Sequence, residues 1–152
     1  MKYIIIILVF LFTVTQPTFS QNIKLNISGK TGYFDGVWST HNFSSKVNMV
    51  VFFDEGVIYL FETYSSSIVT FYSFESEDVT IIGKKKNKLY HFELSECMNC
   101  DNRVNSFDIN LLNMQVSFNY GSYSEIHYIS DYDFMTNSET NEYINSFYKK
   151  SQ

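Results

Sequence analysis

The chain has 152 residues, with 11 basic side chains against 16 acidic ones and a formal net charge of −5. That length holds one domain. A phosphate backbone is bound through Lys and Arg that displace its counterions, and here Arg103 is the only arginine. The balance excludes nucleic acid as an expected partner and disfavours adhesion to an anionic membrane.

The N-terminus reads as a secretory signal peptide over residues 1–20. Lys2 supplies a positive start, Ile4 to Phe12 is an unbroken apolar run, and Thr18 and Ser20 stand at minus three and minus one to a cut before Gln21. The run is shorter than the roughly 20 apolar residues that a transmembrane helix needs. We therefore expect a secreted or periplasmic protein with no stable membrane span after cleavage, and a single domain over residues 21–152.

Beyond the cut, Ile23, Leu25 and Ile27 alternate as in a first strand until Gly29 and Gly32 interrupt it. A second extended piece follows from Gly36-Val37-Trp38 through Phe43. From Val47 to Leu94 the chain is a run of short apolar segments separated by turns: Val47 to Phe53, Val57 to Tyr64, Ser67 to Phe74, Val79 to Ile82 and Lys88 to Leu94. Their Val, Ile, Tyr, Phe and Thr suit a pleated, half-buried surface. Connections of two to five residues predict sequential antiparallel neighbours. Gly56 falls where a left-handed residue would close a hairpin. Val47 to Phe53 and Val57 to Tyr64 are apolar on both faces, so they need cover on two sides, which closing the sheet on itself would supply.

The loops at Glu75 to Asp78 and Lys84 to Lys86 carry opposite charges and read as solvated turns. Phe107, Ile109 and Leu111 form one stripe. Met114, Val116, Phe118 and Tyr120 alternate with Gln115, Ser117 and Asn119, Gly121-Ser122 marks a hairpin, and Tyr123 to Ser130 is a last strand. The period then changes. Thr136 and Glu139 fit a capping box, and Tyr143, Ile144, Phe147 and Tyr148 share a face of a short amphipathic helix over about 137–150. The predicted fold is all-β, an antiparallel meander closed into a small barrel or flattened sandwich, with one C-terminal α-helix.

Chemistry is sparsely marked. Cys97-Met98-Asn99-Cys100 lacks the following helix that would activate a redox thiol. With His91 as the only nearby ligand, it is also an incomplete zinc site. In an exported chain the pair reads as a small disulfide across a loop. His41, His91 and His127 lie on separate segments, where surface or hydrogen-bonded roles are the ordinary reading. Glu62, on an otherwise apolar strand face, would orient a ligand if it faced a cavity. No Ser/His/Asp order and no Gly-rich phosphate loop is present, and nothing calls for a metal or a cofactor. The Asn26-Ile27-Ser28 and Asn42-Phe43-Ser44 triplets fit the glycosylation pattern.

The Gly-x-Trp of Gly36-Val37-Trp38, near the start of a meander-rich exported chain, resembles the first signature of lipocalins. Ser130-Asp131-Tyr132 is similar to their later Thr-Asp-Tyr element, and a C-terminal helix follows it. The resemblance implies an eight-stranded barrel with Trp38 packed at its closed end and a cavity for a small apolar ligand.

The expected function is non-enzymatic binding of a small apolar or amphipathic molecule in a cavity lined by Phe52, Tyr59, Phe61, Phe71, Tyr72, Phe92 and Phe118, with Glu62 facing it. The alternative is a protein-interaction module, an inhibitor or envelope-associated component, binding through exposed Tyr and an edge strand. A third reading, an enzyme using Glu62 or a histidine cluster, requires a buried carboxylate within reach of a second titratable group.

Overall fold

The structure is a computed structural model that describes residues 21–34, 37–62, 67–84, 87–98 and 104–150, with the side chains of 30–46, 62, 67–69 and 150 left aside. Among the described residues ten strands run in order: β1 Asn22–Phe34, β2 Val37–Phe52, β3 Val57–Glu62, β4 Ser67–Ser73, β5 Val79–Ile82, β6 Leu89–Glu93, β7 Glu96–Met98, β8 Ser106–Asn110, β9 Gln115–Asn119 and β10 Ser124–Met135. A 3-10 turn, Ser76–Asp78, precedes β5, and the helix α1, Asn137–Lys150, ends the chain. All described pairings are antiparallel, in the order β5-β6-β8-β9-β10-β1-β2-β3-β4-β7. The all-β meander with one C-terminal helix expected from the sequence is the architecture formed.

The sheet curls toward a barrel, and the device that curls it lies between β6 and β7. These strands are consecutive in the chain, yet β6 pairs with β8 while β7 pairs with β4. The crossing takes two residues: the Leu94 N–H donates to the Asn105 carbonyl at 3.0 Å, and the Ser95 N–H donates to the Ser73 carbonyl at 3.0 Å. One short stretch of backbone thus ties together two distant parts of the sheet.

Alternation sorts the apolar side chains into two groups. Ile23, Leu25, Met49, Val51, Phe53, Ile58, Tyr72, Phe74, Tyr90, Phe92, Phe107, Ile109, Val116 and Phe118 belong to one buried cluster inside the curl. Rings fill much of it: Phe53 contacts Phe74, Tyr90 and Phe92 at centroid distances of 6.2, 5.9 and 5.8 Å, and Phe107 meets Phe118 edge-on at 4.5 Å. On the opposite face of β2 and β3, Val50, Phe52 and Phe61 form a second cluster with Ile144 and Phe147 of α1. The two-sided cover that these strands require therefore comes from both sources, the curled sheet inside and the helix outside.

The helix is fixed by polar groups. The Thr136 N–H and hydroxyl both donate to the Glu139 carboxylate, at 2.8 and 2.9 Å, while the Glu139 N–H donates to Thr136 Oγ1 at 3.3 Å, which is a capping box. These bonds hold the Glu139 carboxyl below the usual glutamate range. Asn22, 1% exposed, donates to Asn137 Oδ1 and Thr140 Oγ1 at 2.9 Å each and accepts from the Phe53 N–H at 2.9 Å. A single amide thus joins the first strand, the end of the second and the helix.

Turn chemistry follows the sequence closely at Gly56. Its φ is +63°, and a Cβ there would lie 2.4 Å from the Phe74 carbonyl oxygen, which accepts no such approach. The Gly56 carbonyl also accepts the Phe74 N–H at 2.8 Å, so the β2–β3 turn and the end of β4 are locked together.

One reading changes. Glu96 to Met98, read as part of a loop, is a short strand with Cys97 opposite Tyr72. Cys97 is disulfide-bonded and none of the described cysteines is free, while Cys100, the partner expected from the sequence, lies outside the described residues. The β4–β7 pairing and packing against the inner cluster also position Cys97. Among the described residues no helix is long and apolar enough to cross a membrane.

Phe61 stacks on Phe147 at 4.4 Å and meets Tyr143 edge-on at 6.0 Å, so it anchors the helix to the sheet. Replacing it with Ala removes a fully buried ring, and we expect a loss of about 3–5 kcal/mol in urea unfolding. A loss well under 1 kcal/mol would show that the helix is not held through this contact.

Candidate functional site

Two clusters of titratable side chains stand out, one inside the curl and one outside. The inner one lies on β9 and β10. Opposed residues of an antiparallel pair share a face, and β10 pairs His127 with Val116 and Glu125 with Phe118, both of them inner residues. Glu125 and His127 therefore point inward along with Ile129. A register shift at Ser130, where β10 passes from Ile129 opposite Ile27 to Asp131 opposite Asn26, puts Tyr132 on the inner face beyond it.

The result is a carboxylate and an imidazole at one end of an aromatic interior. His127 Nε2 is 3.4 Å from Glu125 Oε2, and the two side chains are only 10% and 21% exposed. The imidazole stacks on Phe118 at 4.0 Å, Phe118 meets Phe107, and Phe107 meets Tyr72 edge-on at 4.8 Å. Tyr120 stacks on Tyr123 at 4.6 Å across the β9–β10 turn. Burial pushes the Tyr72 hydroxyl up to about 12. Tyr120 is raised by burial first, then by the nearby charge of Glu125 and by Tyr72 and Tyr123. That coupling places all four groups in one neighbourhood. Across β10, the backbone of β1 sets Gly32 opposite Glu125 and Lys30 opposite His127.

Burying an ionisable pair costs several kcal/mol in desolvation for each ion. An apolar pair at the same positions would pack without that cost. Such clusters concentrate where a protein binds or reacts.

The outer cluster lies on β6, β8 and β9. His91 Nδ1 is 2.6 Å from Asp108 Oδ1, its cross-strand neighbour, and His91 Nε2 is 3.0 Å from Glu93 Oε1. Asn119 donates to Asp108 Oδ2 at 2.8 Å and to Ser106 Oγ at 3.1 Å, and Ser124 Oγ donates to Asn119 Oδ1 at 2.7 Å. The network borders a solvent-open depression of about 440 Å³ lined by Glu93, Asn105, Ser106, Asn119, Tyr123 and Ser124, among others. Hydrogen bonds accepted by Asp108, then by Glu93, raise the His91 pKa above its ordinary 6.5. With a carboxylate on each ring nitrogen, the imidazolium form of His91 is favoured. A general base needs a free nitrogen facing its substrate, so this network fastens three strands and does not suit proton abstraction.

The side chains marked in the sequence divide between the faces. Tyr72, Phe92 and Phe118 lie in the inner cluster. Phe52, Tyr59 and Phe61 lie outside, under α1. Phe71, opposite Tyr59 and 6.2 Å from it ring to ring, is on that outer face too. Glu62 ends β3 opposite Val47 and Ser67, and its side chain falls outside those described. Trp38 is paired with Tyr33 through the backbone, its side chain likewise outside those described. Cys97 is half-buried against the inner cluster, and Cys100 and His41 offer no described side chain.

Glu125 was missed in the sequence. The signal was present: in Tyr123 to Ser130, Glu125, His127 and Ile129 alternate, so burying Ile129 carries both polar residues inward. Among the described residues, no group of three or more His, Cys, Asp or Glu could hold a metal ion.

Comparison with protein-family models, with curated proteins and with solved structures found no match to this chain.

The His91 geometry is testable by NMR. Its titration midpoint should lie above 6.5, and Asp108→Asn should bring it down. A group with a raised folded pKa adds stability that is complete below the unfolded pKa and is lost as pH rises through the folded one. Unfolding free energy should therefore fall above pH 6.5 in the natural chain, and less steeply in His91→Gln. An unshifted midpoint would remove the ion pairs from the account.

Proposed function

We propose that this is an exported, non-enzymatic binding protein that takes a small amphipathic molecule at the Glu125–His127 end of its aromatic interior. The observation that supports the reading is the Glu125–His127 pair itself. It is nearly buried, stacked on a row of rings, and accompanied by two tyrosine hydroxyls. Pockets for small molecules combine an apolar wall with a few convergent polar groups. Here Phe107 and Phe118 would receive the apolar body, while Glu125 would accept hydrogen bonds from a hydroxyl or amine head. The lipocalin-like motifs at Gly36-Val37-Trp38 and Ser130-Asp131-Tyr132 fit this proposal, as a family that binds apolar ligands inside a barrel. Export, from the leader-like first twenty residues, belongs to the same proposal.

The protein-interaction reading has its own support. Phe53, Phe74, Tyr90 and Phe92 occupy their part of the interior with mutual contacts of 5.1 to 6.3 Å, as a filled core does. Any ligand space is thereby pushed toward the Glu125 end.

Native mass spectrometry of protein purified from its own host separates the two. A bound small molecule that is retained by the natural chain and lost at least tenfold in Glu125→Gln supports the interior site. A co-purifying polypeptide, or a ligand indifferent to Glu125, would overturn it.

A further inference from the structure

The strand β5 is a different kind of feature. It ends the strand order, paired with β6 and with no second neighbour among the described strands. It carries no charge within Val79-Thr80-Ile81-Ile82, yet Thr80, Ile81 and Ile82 are exposed, Ile82 at 59%. Natural edge strands are commonly blunted by a charged residue or a proline within them. In β5 the charges stand at the two ends instead, Glu75, Glu77 and Asp78 before the strand and Lys84 to Lys86 after it.

We propose that β5 pairs with β5 of a second copy of this chain, extending the sheet across a two-fold axis. The argument is self-complementarity. Two antiparallel strands related by a two-fold axis normal to the sheet must pair each residue with one on the same face, so one residue sits opposite itself. Centring the axis on Ile81 sets Ile81 against Ile81 and Thr80 against Ile82. The same register places Asp78 against Lys84, twice over. Ile81, on a lone edge open to water, is covered by its own copy, and Ile82 by Thr80 of the second chain. The acidic turn and the lysine turn, one at each end of the strand, meet their opposites. A second copy brings all of these together at once, because the order acidic–apolar–basic along the chain is complementary to its own reverse. The contact is a small one beside standard interfaces, so association is weak and dependent on salt.

Sedimentation velocity of the purified protein over a concentration series tests this. The natural chain should self-associate, more weakly at high salt. Asp78→Lys and Lys84→Glu each turn two attractions into two repulsions, and each should weaken association about tenfold. Mixed in equal amounts, the two variants restore both attractions in a heterodimer, which should form at least as readily as the natural dimer. Both positions lie in turns at the ends of β5, and unchanged circular dichroism checks that the fold survives. A natural chain that stays monomeric up to about millimolar protein (the weak end of specific association), or single variants that associate as well as the natural chain, would overturn the proposal. So would a mixture that associates no better than its components.

Discussion

Everything in this fold answers to one constraint: β2 and β3 are apolar on both faces. Met49, Val51 and Ile58 point one way, Val50, Phe52 and Phe61 the other, and all are buried. A flat sheet covers neither side. Curling buries the first set against the strands beyond β10, and α1 buries the second. Because burial is proportional to the apolar area removed from water, neither cover is dispensable. The polar fasteners sit where the two covers join. Asn22 bridges β1, Phe53 and α1, and the Thr136–Glu139 box starts the helix in register with the sheet. Lys24 adds an ion pair to Asp133 at 3.3 Å and lies over the Tyr143 ring at 5.1 Å, so the polar side of β1 also leans on the helix.

The strands were legible because their signals are local. Period-two alternation and the turn at Gly56 depend only on neighbours in the chain, and the capping box needs four residues. What could not be read was the assignment of faces. Tyr59 and Phe61 look as well suited to an interior as Tyr72 and Phe92, since all four are rings on apolar strands. Only the position of α1, set by contacts more than eighty residues away in sequence, decides that the first two are outside. The short strand Glu96–Met98 was hidden for a related reason. Its partner, β4, is not its neighbour in the chain, and a three-residue strand has too few residues to show alternation. The two strands read separately as Gly36 to Phe43 and Val47 to Phe53 form one long β2. Its pairing with β1 skips between Val47 and Asn42, an irregularity that the sequence presents as a break.

The inner site shows the same division. Alternation carries Glu125 inward once Ile129 is known to be buried, but alternation alone does not say which face is the buried one. The two histidines meet opposite fates for that reason. His91 ends on the outer face between two carboxylates, His127 on the inner face against Phe118, although each sits on a strand of mixed apolar and polar residues.

The place of β1 has a consequence for synthesis. It lies between β2 and β10, so the first strand after residue 21 is flanked on one side by the last strand of the sheet. Pairings such as Asn22 with Met135 span more than a hundred residues. Such separation slows folding, because a long loop must close before any contact rewards it. A chain emerging from its N-terminus carries β1 half-paired until residues 124–135 arrive, and the cover supplied by α1 arrives later still. The folded state is thus reached only by a nearly finished polypeptide.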